Sequence, residues 1–409
     1  MTQSKLDRFE EGDISDAPYN ILPENIPDGW KTVPLSEIKI SDNTRVDPED
    51  FSDSNYISLK HLEKSSPRTN EWGIASEVSS KKYQFKEGDI LFGKLRPNFR
   101  KVILAEFEGV CSTDITVIRP VDGVDRNFLH YTLFRQDLIN IADKTSTGTR
   151  MPRADWDVLD DVLLALPPLE EQEKIGRFLW SIDELIQQKE RQIAIADELI
   201  TNIFEQRFVA QNSEDWTTTK FGDIVEMDSG GPRKSTDQYI GEKHEWLTPT
   251  DVTSTNSPLI VDTERKLNDA AIDETSVSIL PAGTVMLTSR ATVGEVVLAG
   301  VPMAMNQGFI ALSPKDDVTP YFLAELVKNK RAIIESLASG STYSEISQSD
   351  FASIEVTLPS KKEIVEYEDT VRPFYEHVRK SLRQVNLLSN LRDELLRKLL
   401  NGDLRLGEE

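Results

Sequence analysis

Two long tracts of the chain carry apolar residues at alternating steps of four and three. The first tract covers residues 169–208 and contains one polar break, at Lys189. Pro167 and Pro168 suit the start of a helix, and forty helical residues would be about 60 Å long. The heptad spacing predicts a helix that packs against a partner helix. Its apolar positions are Ile175, Leu179, Ile182, Ile186, Ile193, Ala196, Ile200 and Ile203.

The second tract, residues 359–406, predicts another long helix. Pro373 lies inside it and is expected to kink or restart the helix, and Gly402 suits a C-cap. Two such seams can bury each other as an antiparallel pair. The alternative is two separate amphipathic helices, each lying on its own domain; we favour the pair because neither domain's length predicts so long a straight seam. The apolar positions are Tyr367, Val371, Phe374, Val378, Leu382, Val385, Leu388, Leu391, Leu395 and Leu399.

Each long tract follows a segment in which short strand-like runs alternate with turns and helical stretches. The two segments repeat one another. Trp30 recurs as Trp216, 186 residues later, and the strand-like run around Gly88 recurs around Gly283, 195 residues later. Six such pairs occur in the same order, and each segment closes on a Leu-Pro step. This pattern predicts a duplicated architecture.

These patterns predict an α+β protein with a pseudo-twofold internal repeat. Two mixed α/β domains would be separated by two long antiparallel coiled-coil helices. The expected segments are an acidic, flexible N-terminal tail (1–29), a first domain (30–166), a first helix (167–210), a second domain (211–358) and a second helix (359–406).

The composition narrows the classes of function. With 47 basic and 70 acidic residues the net charge is −23, so a nucleic-acid ligand would require positive charge to be concentrated locally. The single cysteine, Cys111, excludes a disulfide framework and a cysteine-based zinc site. The N-terminus has no apolar signal core, and no stretch approaches the roughly 20 apolar residues that span a bilayer. We therefore expect a soluble, cytoplasmic protein.

The order of domain, helix, domain and helix resembles the DNA-specificity subunit of type I restriction–modification enzymes. The most specific motif is LPPLEEQEKIGRFL (166–179), which is similar to the start of that family's central helix. SGGPRKS (229–235) and MNQGFIAL (305–312) also fit the family. The second half departs from the pattern at LPSKKEIVEYEDTV (358–371), which lacks the Glu-Gln pair. The resemblance extends from Trp30 to Leu406.

The resemblance implies a subunit that has no catalysis of its own. Each domain would be a target recognition domain that reads one half of a bipartite site in double-stranded DNA. The helices would set the spacing of the two halves and bind two methyltransferase subunits, to which restriction subunits are added. The chain itself would bind no cofactor and no metal. S-adenosylmethionine, ATP and magnesium would be held by the partner subunits.

A local excess of positive charge marks a place for DNA in the first domain. Residues 81–101 carry seven basic residues against Glu87 and Asp89. Lysine and arginine bind phosphates, and arginine also reads guanine. The alternative interpretation of this run is an ordinary solvated basic surface. A nearby Gly-Thr loop carries two further arginines that could reach phosphates, and its alternative interpretation is a simple connector. The predicted DNA-binding residues are Lys81, Lys82, Lys94, Arg96, Arg100, Lys101, Arg150 and Arg153.

In the second domain the predicted DNA contacts are spread over several loops. A Gly-Gly-Pro loop carries two basic residues, and a strand ends on a Ser-Arg pair. An Asn-Gln pair has amides that suit bidentate contact with adenine, although turn chemistry or a buried amide would explain it equally well. A Gly-Ser-Thr loop ends on a tyrosine. The predicted residues are Arg233, Lys234, Ser289, Arg290, Asn306, Gln307 and Tyr343.

The strong acidity requires its own explanation. We expect acidic faces to point towards partner subunits, and the first turns of the first long helix carry three candidates. Glu170, Glu171 and Glu173 are therefore predicted to bind a partner. Neutralising them should weaken assembly without affecting DNA contacts.

Two other functions stay open from the sequence. Asp251, Glu264 and Lys266 echo the spacing of a metal-dependent nuclease, although such spacing arises by chance in a polar stretch. The four histidines are scattered without metal-ligand spacing. The second alternative is a coiled-coil scaffold whose domains bind proteins or glycans, because a fold does not determine a function.

Overall fold

The computed structural model of the protein describes residues 19–148, 150–211, 216–230, 237–255, 257–275, 277–315, 317–338 and 344–407. The chain divides into two compact units, and both divisions fall within long helices. The first unit comprises Met1–Leu185 and Leu388–Glu409, and the second unit comprises Ile186–Leu387.

The described part of the first unit is built from short strands and short helices. Its strands are β1 (Lys31–Pro34), β2 (Lys39–Ser41), β3 (Arg45–Val46), β4 (Asn55–Ile57), β5 (Gly73–Ile74), β6 (Lys82–Phe85), β7 (Ile90–Gly93), β8 (Val102–Leu104), β9 (Gly109–Cys111), β10 (Ile115–Pro120) and β11 (Leu163–Leu166). Its helices are α1 (Leu35–Ile38), α2 (Arg126–Phe134), α3 (Gln136–Lys144) and α4 (Trp156–Asp160). The sheets have the strand orders β1-β11, β2-β10-β7-β8 and β3-β6-β9-β4-β5.

Strand β7 divides the apolar side chains of the first unit between two cores. Successive side chains of a strand point to opposite faces. Ile90 and Phe92 pack into a cluster with helices α2 and α3. Leu91 lies between them in the sequence and packs into a second cluster with Ile103 and Val117. The sheet that contains β7 is therefore covered on both faces.

Helix α5 (Leu169–Phe204) contains 36 residues and continues as a π-helical turn, Glu205–Val209. The described part of the second unit then repeats the plan of the first. Its strands are β12 (Thr217–Lys220), β13 (Val225–Ser229), β14 (Ile240–Gly241), β15 (His244–Leu247), β16 (Leu259–Ile260), β17 (Lys266–Leu267), β18 (Val285–Thr288), β19 (Val296–Ala299), β20 (Met303–Met305), β21 (Phe309–Pro314) and β22 (Glu355–Leu358). Its helices are α6 (Phe221–Ile224), α7 (Pro249–Thr253), α8 (Asp269–Glu274), α9 (Pro320–Asn329), α10 (Arg331–Leu337) and α11 (Gln348–Ser353), followed by α12 (Lys361–Leu400).

The sheets of the second unit have the orders β12-β22, β13-β21-β18-β19-β16 and β14-β17-β15-β20 among the residues described there. Strand β18 divides its side chains as β7 does. Val285 and Leu287 pack with α9, and Met286 packs into a separate cluster. In both units the closing strand pair, β1 with β11 and β12 with β22, is antiparallel. The predicted α+β class with two repeated domains is confirmed.

In the first unit the start of α5 lies beside the end of α12. Arg392 of α12 donates to Asp183 of α5 over 2.8 Å. Arg405, just beyond α12, donates to Glu171 near the start of α5 over 2.9 and 2.7 Å. Because later residues of one helix meet earlier residues of the other, the two segments are antiparallel.

In the second unit the end of α5 lies beside the start of α12. The rings of Phe204 and Tyr367 are 5.8 Å apart, and Arg207 donates to Thr370 over 3.3 Å. The same antiparallel order therefore holds in this unit, and the predicted helix pair is confirmed.

Helix α12 is one continuous helix that includes Pro373, so the helix does not restart there. Two expectations require correction. Leu391, assigned to the apolar seam, is 42% exposed, and Arg392 takes the buried position beside it. The flexible tail was expected to extend to residue 29, but Ile21 is buried and its N–H donates to the carbonyl of Leu163 over 2.9 Å. The rest of the predicted tail, residues 1–18, lies outside the described residues.

Candidate nucleic-acid interface

The turn between β7 and β8, residues 94–101, is held by backbone hydrogen bonds to two other segments; we call it the first loop. The N–H of Lys94 donates to the carbonyl of Asp114 over 2.8 Å. The N–H of Arg96 donates to Pro152 over 2.8 Å, and the N–H of Ala154 donates to Lys94 over 2.9 Å. The segment around residue 152 is thus fixed against the loop.

Two arginines in this loop have left-handed backbone conformations. Arg96 has φ 50° and Arg100 has φ 51°, on either side of a short 3-10 turn, Pro97–Phe99. Ser65, whose N–H donates to Phe99, has φ 56°. Each such residue costs about 1–2 kcal/mol relative to an ordinary conformation. Strain of this kind concentrates at functional sites, which makes this loop a candidate site.

An apolar cleft with a basic rim lies at this loop; we call it the basic cleft. Its volume is about 170 Å³. The guanidinium of Arg96 lies 5.8 Å from the ring of Phe99, and the Nζ of Lys64 lies 5.9 Å from the same ring. Lys101 donates to the carbonyl of Leu59 over 2.6 Å. Cations around an apolar floor suit a ligand that combines negative charge with flat apolar groups. The lining residues are Leu59, Leu95, Arg96, Phe99, Lys101 and Met151.

Lys94 and Arg153 extend the positive charge beyond the cleft. Lys94 is half-buried, 5.3 Å from the ring of Tyr83, and burial lowers the pKa of its amine. Arg153 is exposed and pairs with Asp114 over 2.9 Å. Arg45 on β3 also acts on Lys94, since its charge contributes to lowering the pKa of that amine. The sequence did not single out Arg45, because only the pairing of β3 with β6 brings it here.

Two members of the predicted DNA-binding set have structural roles instead. The guanidinium of Arg100 is buried, donates to the carbonyl of Phe134 over 2.6 Å and pairs with Asp393 over 2.8 Å. Lys82 is buried, and its amine donates to the carbonyl and hydroxyl of Ser80, each over 2.6 Å. Both cations are satisfied inside the first unit, so their contact with DNA stays a prediction that their burial does not support. Sequence spacing cannot distinguish a basic side chain that points inward from one that points outward.

The remaining predicted basic residues of the first unit are accessible. Lys81 precedes β6 and is exposed, and Arg150 is exposed next to Met151 of the basic cleft. The structure therefore gathers Lys94, Arg96 and Lys101 with Arg153 around one loop. Arg150 is near them in sequence, while Lys81 lies at the start of a separate strand.

The corresponding turn of the second unit, residues 289–295, is the second loop. Ser289 is buried, with its N–H donating to the carbonyl of Gly308 over 2.7 Å. Arg290 is exposed and pairs with Glu345 over 2.8 Å. The backbone of Ser289 thus helps to hold the second loop, and its contact with DNA stays a prediction. The cation of Arg290 already has a carboxylate partner.

Asn306 adopts the turn chemistry that was its alternative interpretation. Its side-chain oxygen accepts from the N–H of Gly308 over 2.8 Å, while Gln307 beside it is exposed. Gly230 packs so closely that a Cβ there would lie 1.8 Å from the carbonyl oxygen of Asn306. Gln307 is therefore an exposed side chain that follows a backbone approach, between Gly230 and Asn306, with no room for a Cβ. The predicted residues Arg233, Lys234 and Tyr343 lie outside the described residues.

The three acidic residues predicted to bind a partner have different surroundings. Glu171 accepts from the indole N–H of Trp30 over 3.0 Å and from Arg405, and these contacts help to lower the pKa of its carboxyl against the effect of burial. Glu171 is therefore engaged within the first unit, and its role as a partner contact stays a prediction. Glu170 is exposed and accepts from Lys174 over 2.9 Å, and Glu173 is exposed.

The residues of the nuclease alternative are occupied by structural contacts. The carboxylate of Asp251 caps helix α7 through the N–H of Thr248 over 2.8 Å. Lys266 pairs with Glu245 over 2.5 Å and with Asp262 over 2.6 Å. Within the described ranges, no group of three or more His, Cys, Asp or Glu side chains could hold a metal ion. None of the helices in those ranges combines the length and apolarity that a bilayer span needs.

A family model described as type I restriction modification DNA specificity domain matches the chain twice, over residues 27–195 and 213–384. The two matches coincide with the repeat seen in sequence and fold.

Curated proteins of the same description are similar to the chain. The MjaIX specificity subunit of Methanocaldococcus jannaschii is 30% identical over 197 residues, 47% of this chain and 46% of that protein. The EcoDI specificity subunit of Escherichia coli is 24% identical over 198 residues, 47% and 44% of the two chains. The chain thus spans about half the length of these two relatives. A putative MjaX specificity subunit of Methanocaldococcus jannaschii is 23% identical over 366 residues, 80% of each chain.

A solved structure of the type I restriction–modification S subunit from M. genitalium has a similar fold. The TM-score is 0.56 at 16% identity, over 93% of this chain and 98% of that one. This likeness supports the fold of each repeated unit.

Proposed function

The chain belongs to the type I restriction modification DNA specificity family, and from that premise we propose that it selects the DNA sequence on which a methyltransferase and endonuclease complex acts. Each unit reads one half of a bipartite site in double-stranded DNA, and the two long helices set the spacing of the halves. The chain catalyses no reaction and binds no cofactor or metal. S-adenosylmethionine, ATP and magnesium belong to partner subunits in the cytoplasm.

The observation that carries this proposal is the basic cleft with its neighbours in a chain of net charge −23. Arg96, Lys101 and Arg153 converge on one loop that stores backbone strain. Phosphate neutralisation dominates the affinity of proteins for DNA. An acidic protein that binds DNA must concentrate cations in this way, and a protein-binding or glycan-binding scaffold has no such requirement.

The exposed face of α5 supports the docking of methyltransferase subunits. Phe178, Leu185 and Leu199 are 36%, 48% and 42% exposed. They are spaced by seven residues and by twice seven, so they lie along one face of the helix. The buried seam occupies a different face. An apolar stripe that the chain itself leaves exposed suits a helical partner, and Glu170 and Glu173 provide charge at its start.

The proposed function is tested by mapping methylated sites in the host genome by single-molecule sequencing. We expect a gapped, two-part motif that disappears when this gene is deleted and returns when it is restored. The proposal would be contradicted if deletion of the gene removed no methylated motif, or removed a motif without a gap.

Partner docking is tested by the double variant Glu170→Gln with Glu173→Gln. We expect less methyltransferase subunit to co-purify with it than with the wild-type chain. The matched control is Glu226→Gln with Asp228→Asn, which removes the same charge from exposed positions of β13. Equal recovery of the partner with both double variants would show that the acidic start of α5 does not take part in docking.

A further inference from the structure

The second loop, of seven residues, repeats several backbone contacts of the first loop, of eight residues. Thr288 donates to Glu295 over 2.9 Å where Gly93 donates to Lys101 over 2.8 Å. Ala291 has φ 64°, as Arg96 has φ 50°. A bridge joins residues 290 and 345 in the second unit and residues 95 and 153 in the first. The matched positions are therefore Lys94 with Ser289, Leu95 with Arg290, Arg96 with Ala291, Lys101 with Glu295, Asp114 with Gly308, and Arg153 with Glu345.

The side chains at these matched positions have opposite charge. At the matched positions, the first loop and its partners carry four cations and one carboxylate, whereas the second loop and its partners carry one cation and two carboxylates. Because the matched positions share these backbone contacts, the difference in charge lies in their side chains. Any ligand that meets the two loops in the same way meets a positive surface in the first unit and a negative one in the second.

The partners of these charges increase the contrast. In the first loop, Lys101 donates to a carbonyl and Arg96 lies over an aromatic ring, so neither contact cancels the positive charge. In the second loop, Glu295 pairs with Arg331 over 2.6 Å, and Arg290 pairs with Glu345 over 2.8 Å. The one matched cation there, Arg290, is thus paired with a carboxylate, as Arg153 is with Asp114 in the first unit, whereas the contacts of Lys101 and Arg96 involve no carboxylate.

We propose that the first loop binds the DNA phosphate backbone and that the second loop does not. The inference rests on the proposed function and adds that the two units differ in how these loops contact DNA, a difference that we call the division of labour. At these two loops, the first unit binds its half-site through phosphate neutralisation and the second unit through uncharged contacts. The salt dependence of binding therefore comes more from the first loop than from its structural counterpart.

Counterion release gives this proposal a measurable form. Each phosphate contact contributes about −0.9 to the slope of log affinity against log salt. Between 50 and 200 mM salt, one contact accounts for about a three- to fourfold loss of affinity. The loss of two contacts should therefore reduce the salt-induced change about tenfold.

The test uses the full chain assembled with its methyltransferase subunits and a duplex that contains the mapped bipartite site. The variant Lys94→Ser with Arg96→Ala gives the first loop the residues of the second at two matched positions. Alanine is accepted in this conformation, since Ala291 adopts it. We expect the slope to become less steep by about 1.8 for the pair and about 0.9 for Arg96→Ala alone.

Arg290→Ala supplies the contrast, because it removes a cation from the second loop. We expect no change in slope, since Glu345 already neutralises that cation. Lys31→Ser, at an exposed position of β1, controls for the general loss of one positive charge. Melting curves and recovery of the partner subunits identify any variant that fails to fold.

The outcomes separate the two proposals. Equal slope changes for Arg96→Ala and Arg290→Ala, or none for the first-loop variants of a complex that binds its site, would overturn the division of labour. A wild-type complex that shows no preference for any bipartite duplex would instead overturn the proposed function.

Discussion

The two units place the same polar contact between a short helix and a long helix but exchange its donor and acceptor. In the first unit, Tyr131 of α2 donates to Asp183 of α5. In the second unit, Tyr375 of α12 donates to Glu325 of α9 over 3.2 Å. The tyrosine has moved from the short helix to the long one, and the carboxylate has moved the other way.

This exchange shows which properties the repeated fold requires. A buried polar group needs a partner, and the requirement is met whichever helix supplies the hydroxyl. The contact position is therefore determined by the fold, whereas its chemistry is free to differ. The loops follow the same rule, since several backbone contacts of residues 94–101 recur at 289–295 while the matched side chains differ in charge.

The two contacts differ in their cationic neighbours. In the first unit, Arg392 of α12 binds Asp183, and both side chains are buried. In the second unit, Lys328 of α9 lies between Glu325 and Asp197, at 2.8 and 3.0 Å. The first unit therefore joins its two long-helix segments by a direct ion pair. In the second unit the cation comes from a short helix.

The largest effect should come from breaking the ion pair of the first unit. Arg392→Met leaves Asp183 buried without its cation, and we expect the free energy of unfolding to fall by about 3–5 kcal/mol. Tyr375→Phe in the second unit should cost about 1 kcal/mol, because Glu325 keeps Lys328. Hydrogen exchange resolved by segment would measure each unit separately. Similar losses for both variants would show that the ion pair contributes no more than the hydrogen bond from Tyr375 to the carboxylate of Glu325.

The next effect concerns pH and the buried His130 of α2. Burial lowers the pKa of its imidazole to about 3, whereas the matched position of the second unit is Ala324. The unfolded chain takes up a proton near pH 6.5 that the native first unit refuses until about pH 3. Above pH 6.5 the burial of neutral His130 does not reduce the free energy of unfolding. Below pH 6.5 the free energy of unfolding falls by about 1.4 kcal/mol for each pH unit.

Hydrogen exchange of α2 and α9 between pH 7 and pH 5 checks this expectation. Protection in α2 should fall more than in α9 once the intrinsic exchange rates are corrected for pH. His130→Leu should remove the excess loss in α2. An equal loss in both helices of the wild type would contradict the assignment to His130.

The smallest effect concerns the tryptophan that opens each repeat. The indole of Trp30 donates to Glu171 over 3.0 Å, and the indole of Trp216 donates to Glu363 over 3.4 Å. We expect Trp30→Phe to cost about 1 kcal/mol through the lost hydrogen bond, and Trp216→Phe to cost less because its bond is longer. Denaturant unfolding with a probe in each unit would rank the two. A larger cost for Trp216→Phe would contradict the comparison.

The apolar seam was predictable because its signal is local. Ile175, Leu179, Ile193 and Ile200 are all buried, as the heptad spacing requires. The start of α5 at Leu169, after two prolines, was also predictable. The heptad prediction was wrong at Leu391, because the buried ion pair of Asp183 and Arg392 replaces an apolar layer there. A pair of charges so distant in the chain carries no periodic signal.

The sequence predicted where the candidate site lies but not which residues form it. A run of basic residues marked the segment 81–101, and the first loop lies within it. Arg100 could not be recognised as structural, since its partner Asp393 belongs to a helix almost three hundred residues later. Arg45 could not be recognised as a neighbour of Lys94, because strand pairing brings them together. Charge density is a property of the sequence, whereas side-chain direction is a property of the packed fold.

The central claim is that each unit selects one half of the target independently. The most direct measurement is the methylated motif of a hybrid in which residues 217–358 come from a relative with a different mapped motif. We expect one half of the gapped motif to be exchanged and the other half to be retained. A motif changed in both halves, or in neither, in a hybrid that still assembles would contradict it.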